Sequence, residues 1–168
     1  MIRVLKIEVE PGVPVLTLEP ESARRCGQFD GTAKAELFGR EELLASAQEF
    51  PAYPRQFLAM APGVLVLPEA AWLDADEMYY CCSLGNELLA VKADVGDFAA
   101  INPLEVLPTP VDGEAPCVVD KFYSPVFRIA GRDPRQLFCV EGLGTDDFKG
   151  FYDALRFRGL VFQEIWRG

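Results

Sequence analysis

Apolar and polar positions alternate from the first residues of the chain. Ile2 and Val4, then Ile7 and Val9, are interleaved with Arg3, Lys6 and Glu8, a period of two that predicts a strand. The phase changes near Leu5, which points to a bulge. Glu10-Pro11-Gly12 breaks the run and Val13 to Leu18 resumes it. Pro14 favours an edge position, so a hairpin is predicted for this end of the chain. Glu19 to Lys34 is polar and turn-rich, and predicts a loop carrying one short element. Between Gly39 and Phe50 the apolar residues Leu43, Leu44 and Ala47 share a helical face, with Glu41 and Glu42 before them and Pro51 after. That spacing predicts a small helix near 41–49.

Three prolines between Pro51 and Pro62 predict a packed irregular segment, and Gly63-Val64-Leu65-Val66-Leu67 predicts a strand. Met78 to Leu84, Glu87 to Ala93 and Phe98 to Leu107 predict three more, with Gly85-Asn86 as a two-residue hairpin turn between the first pair. Pro108 to Pro116 is a loop by composition, and Val118 to Tyr123 leads into the apolar run Val126 to Ile129. The most explicit stretch is the last one. Leu137-Phe138-Cys139-Val140 is a short continuous apolar run, as in a strand buried on both faces. A helix follows over 146–156, with Thr145 as its cap and Asp146 and Asp147 near its positive end. Phe148, Phe151, Tyr152 and Leu155 form its apolar stripe. Gly159 stops it, and Leu160-Val161-Phe162 resumes extended chain towards Ile165 and Trp166.

These elements predict an α+β fold with a mainly antiparallel sheet of six to eight strands and two helices. At 168 residues one domain over 1–168 accounts for the length, with 1–95 as an N-terminal subdomain and 96–168 as a C-terminal part.

Charge adds a constraint on partners. The net charge is −10, which argues against a nucleic-acid backbone or an anionic membrane as partner. It is uneven: residues 1–119 hold 8 basic and 19 acidic residues, whereas 120–168 hold 8 and 7. No apolar run approaches the ~18 residues of a membrane span, and the N-terminus lacks a secretory pattern, so a cytoplasmic protein is expected. The five cysteines are then expected to be free thiols. The adjacent pair Cys81-Cys82 is unusual, although core packing accounts for it.

Candidate chemistry is sparse. There is no histidine, hence no Ser-His-Asp or Cys-His pair. No phosphate-binding glycine loop is complete, and the acids after Gly142-Leu143-Gly144 would repel a phosphate. No cofactor and no metal site are predicted, and an enzyme is not expected. One cluster stands out: Glu69, Asp74, Asp76 and Glu77 surround Trp72. An exposed Trp among acids has the composition of a contact for a basic partner, with the ring as anchor and the carboxylates orienting the approach. These five residues are the predicted partner-binding site.

The order of apolar strand, D-D-F-K-x-F-Y helix, R-G-L-V-F and terminal E-I-W resembles the C-terminal end of immunity family eleven of bacterial polymorphic toxin systems. Members often end in a helix, a Gly-Leu-x-Phe strand and a closing Trp. An Asn-Pro strand and an apolar-Phe-Arg strand precede these, matched here by Ile101-Asn102-Pro103-Leu104 and Val126-Phe127-Arg128. The resemblance covers roughly the last 70 residues. It implies an immunity protein that binds and neutralises a cognate toxin protein by occlusion, and the acidic first two thirds suit a basic toxin. The other reading is a small-ligand protein or enzyme that uses a carboxylate or Cys81 and Cys82.

Overall fold

The computed structural model describes residues 1–34, 42–83, 85–109, 125–142 and 147–168. Thr145, Cys117, the lead-in segment Val118 to Tyr123 and most of the 108–116 loop lie outside these residues.

The fold is α+β, built on two five-stranded sheets rather than one. The first has the order β10-β1-β9-β8-β7, with β1 Arg3–Val9, β7 Val106–Leu107, β8 Val126–Ile129, β9 Leu137–Glu141 and β10 Leu160–Arg167. The second has the order β2-β3-β5-β6-β4, with β2 Leu16–Leu18, β3 Leu43–Ala47, β4 Leu65–Pro68, β5 Asn86–Ala93 and β6 Gly96–Pro103. Pairing is antiparallel except between β3 and β5 and between β7 and β8. Four helices are described: α1 Pro20–Cys26, α2 Glu69–Asp74, α3 Asp76–Ser83 and α4 Phe148–Ala154.

The expected N-terminal hairpin is replaced by two strands that part company. β1 lies between β9 and β10 in the first sheet, whereas β2 pairs with β3 in the second. The phase change near Leu5 has a physical cause, because both faces of β1 are buried. Ile2 and Val4 pack with Phe127, Phe138 and Trp166 on one face, and Leu5, Ile7 and Val9 join the main core on the other. A register shift does occur there, where Val4 pairs with Trp166 and Leu5 with Glu164, leaving Ile165 as the extra residue.

Two element types differ from expectation. Leu43–Ala47 is a strand, with Leu43 and Ala45 buried and Leu44 turned outward. A three-residue apolar coincidence at helical spacing was outweighed by pairing on both edges, to β2 and β5. Met78 to Ser83 belongs to helix α3. Met78, Cys81 and Cys82 are its buried residues, the i, i+3, i+4 spacing of one helical face. The aromatic and sulfur side chains suggested a strand, but Asp76 and Glu77 sit in the first turn, where the helix dipole favours them. Asn86 Nδ2 donates to the Cys82 carbonyl at 2.6 Å, so Gly85-Asn86 closes a helix instead of turning a hairpin.

The C-terminal unit has its predicted order. α4 starts later than expected, at Phe148, and its N-cap is Asp147, whose carboxylate accepts from the Gly150 and Gly142 amides at 2.6 and 3.0 Å. Tyr152 fixes α4 to β10 by accepting from the Leu160 amide at 3.1 Å and donating to its carbonyl at 3.3 Å.

The largest core cluster draws on both sheets and on α2, α3 and α4. Phe57 lies at its centre, with ring centroids 5.8–6.5 Å from Phe157, Tyr152, Phe148 and Trp72. A second cluster covers the other face of the second sheet beneath α1, where Cys26 and Phe29 meet Leu16, Leu43 and Phe98.

Arg128 is the most deeply buried charged side chain among the described residues. It is 1% exposed, and each of its five N–H groups has an acceptor. Nε donates to the Pro103 carbonyl at 2.9 Å, Nη1 to those of Phe29 and Pro134 at 3.3 and 2.5 Å, and Nη2 to Gly63 O and Asn102 Oδ1 at 2.9 and 3.1 Å. Gly63 lies against this guanidinium at φ +92. A Cβ there would stand 2.1 Å from the Phe29 carbonyl oxygen, so no larger residue fits without a backbone shift. Asn102-Pro103 and Phe127-Arg128, the two fragments of the resemblance that lie far apart in the chain, therefore meet at one buried clamp joining the sheets.

Candidate functional site: an acidic helix pair

Helices α2 and α3 follow β4 directly and meet at Ala75, which is 1% exposed. Pro68 precedes α2 and places Glu69 in its first turn. Ala71 and Trp72 face inward, so the helix turns Leu73 and Asp74 outward. In α3 the buried face of Met78, Cys81 and Cys82 leaves Asp76, Glu77, Tyr79 and Tyr80 outside. Residues 69–83 contain four acids and no base. Tyr80 stands one helical turn from Asp76 and Glu77, and Leu73 one turn from Glu69, so each apolar group has a carboxylate as neighbour.

The structure divides the five predicted contact residues. Trp72 is not the exposed anchor. It is 3% exposed, packs edge-on to Phe57 at 6.5 Å, and its indole N–H reaches the Ala99 carbonyl at 3.4 Å. The large ring is worth more in the core than at the surface. Asp74 is exposed but engaged, since its Oδ2 accepts from Arg55 Nη2 at 2.9 Å. Arg55 Nη1 in turn donates to the Leu155 carbonyl at 2.7 Å. Asp74 thus ties α2 to the end of α4. Glu69, Asp76 and Glu77 are exposed and make no ion pair among the described residues.

The apolar members of this surface were not singled out from the sequence. Leu73 is 74% exposed and Tyr80 69%, while Tyr79 lies edge-on to Tyr80 at 6.0 Å. The signal was present in the spacing of Met78, Cys81 and Cys82, because a helix that buries those three must expose Tyr79 and Tyr80. Strand-forming residue types at Met78 to Cys82 mask that spacing in the sequence.

Other chemistry is less developed. Cys26, Cys81, Cys82 and Cys139 are free and buried. Burial pushes the Cys82 and Cys139 thiols well above the ordinary range, which disfavours the thiolate that nucleophilic chemistry needs. Among the described residues no group of three or more Cys, Asp or Glu is placed to hold a metal ion. Arg135 holds the Asp133 carboxyl down at about 2 through a side-chain hydrogen bond, an exposed pair and not a poised acid. Burial lowers the Arg128 pKa to about 10, against the upward pull of Asp30, so it is charged at neutral pH.

A groove of about 470 Å³ lies elsewhere, between Lys6 to Val9 of β1, the segment Ala59 to Leu65 and the turn Asp133 to Leu137. Arg128 holds two of its walls together through the Gly63 and Pro134 carbonyls. It shares no residue with the acidic helix pair. Among the described residues no helix is long and apolar enough to cross a membrane. Comparison of the chain with family models, with curated proteins and with solved structures finds no match.

Proposed function

We propose that this chain is a cytoplasmic immunity protein that binds a basic toxin and neutralises it by occlusion. The observation that carries the proposal is the α2–α3 surface, where Glu69, Asp76 and Glu77 stand exposed around Leu73 and Tyr80. Uncompensated charge of one sign speeds encounter with an oppositely charged protein, and exposed aromatics supply contact area at low conformational cost. The resemblance of the C-terminal part to immunity family eleven supports the same reading.

The test is protection. The product of the gene immediately upstream is expressed in cells with and without this chain. Survival only in its presence, together with a co-purifying complex, is the expected outcome. Equal toxicity in both cultures, or a toxic product that never co-purifies with the chain, would overturn the proposal. A second reading, a small-ligand protein, is favoured by the groove alone, whose volume lies in the range of ligand sites.

A further inference from the structure

Resting on the capture reading, we infer that the contact with the toxin is anchored by Tyr80 and Leu73, which enter apolar recesses of a lysine- and arginine-rich protein surface. Glu69, Asp76 and Glu77 guide the approach. The two roles separate on geometry. Tyr80 and Leu73 are the most exposed apolar side chains on the helix pair, and both are carried by short helices held from beneath. Trp72 binds α2 to β6 through Ala99 O and to Phe57 through its ring. Met78, Cys81 and Cys82 fix α3 in the main core. The anchors therefore project from a backbone already in place, so little ordering cost is added on binding.

The partner's chemistry follows from the same residues. A surface that buries Tyr80 must also come within reach of Asp76 and Glu77, one turn away, and these need cationic partners once water is excluded. Asp74 is not part of this set, because Arg55 already compensates it. The partner accordingly presents an apolar recess bordered by basic side chains. A flat basic surface offers nothing for the ring, and an apolar one strands the carboxylates.

The experiment uses the full chain and a catalytically inactivated upstream-gene product, with kinetics followed across a salt series. Tyr80→Ala combined with Leu73→Ala is expected to raise the dissociation rate about thirty-fold and to leave association nearly unchanged. Glu69→Gln, Asp76→Asn and Glu77→Gln together are expected to slow association about ten-fold at low salt, with the difference vanishing near 1 M. Asp74→Asn serves as the internal comparison and should bind like the parent. Circular dichroism melts of all variants verify folding, and these exposed positions leave it intact.

If the parent chain fails to bind the upstream product, the capture reading itself falls. If the parent binds and both multiple variants keep parental kinetics, capture stands and this surface is the wrong one. A salt-sensitive loss in the acid variant with no change in the Tyr80 and Leu73 variant would overturn the anchoring role alone.

Discussion

Charge is handled in opposite ways at the Arg128 clamp and on the α2–α3 surface. At the clamp a single cation is withdrawn from water and its five donors meet four backbone carbonyls and one amide oxygen, drawn from the loop after α1, the lead-in to β4, the end of β6 and the turn before β9. On the helix pair three carboxylates stay in water with no ion pair among the described residues. A buried charge must be satisfied within the fold or it destabilises it, whereas an exposed one costs little and remains available to a partner. The comparison separates residues that hold the molecule together from residues free to act on something else.

The strongest test of that separation is Arg128→Met. It removes five donors at once and leaves four buried acceptors and the part-buried Pro134 carbonyl without them, so a loss on the order of 3–5 kcal/mol is expected in urea unfolding. A parent-like midpoint would show that the clamp is replaceable and that the contrast is false. Next comes Trp72→Ala, which empties a core site beside Phe57. A loss of roughly 3 kcal/mol or more is expected, read by the same unfolding curves. A stable Trp72→Ala protein would return this ring to the surface side of the comparison.

The thiols test burial directly. Burial raises the folded-state pKa of Cys82 and Cys139 above the ordinary 9.0. The unfolded chain therefore sheds these protons first, and stability contributed by the neutral thiols is lost as pH climbs past that value. Iodoacetamide at pH 8 should leave Cys82 and Cys139 unmodified in the native protein and alkylate both after denaturation, as mass spectrometry will read. Rapid native labelling of either would contradict its placement. The smallest effects belong to the outer surface. Asp74→Asn should cost less than about 1 kcal/mol, since its pair with Arg55 is largely solvated. Tyr80→Ala should lie within about 0.5 kcal/mol of the parent. A larger change at Tyr80 would mean that it supports the fold.

What could be read from the residues followed local periodicity and failed where two periods overlapped. Phe148, Tyr152 and Leu155 repeat over a full helical face, so α4 and its flanking strands were legible. Leu43, Leu44 and Ala47 fit a helix, but Leu43 and Ala45 also fit a strand, and only pairing with β2 and β5 decides. The stretch from Asp76 to Ser83 carried a helical spacing of buried residues beneath strand-forming residue types. The acidic character of the candidate surface was visible in Glu69, Asp74, Asp76 and Glu77, whereas the exposure of Tyr79 and Tyr80 was carried only by the spacing of Met78, Cys81 and Cys82.

By itself the sequence determined the α+β class, the mainly antiparallel pairing, the C-terminal strand–helix–strand order and the acidity of the region around residue 72, because each depends on composition or on neighbours close along the chain. Tertiary structure alone decided that β1 and β2 enter different sheets, that Trp72 faces inward, and that Arg128 closes on carbonyls from three distant segments besides the nearby Pro134. Those outcomes are set by contacts between residues far apart in the chain. Which side of a residue is buried depends on what packs against it, and no local pattern contains that information.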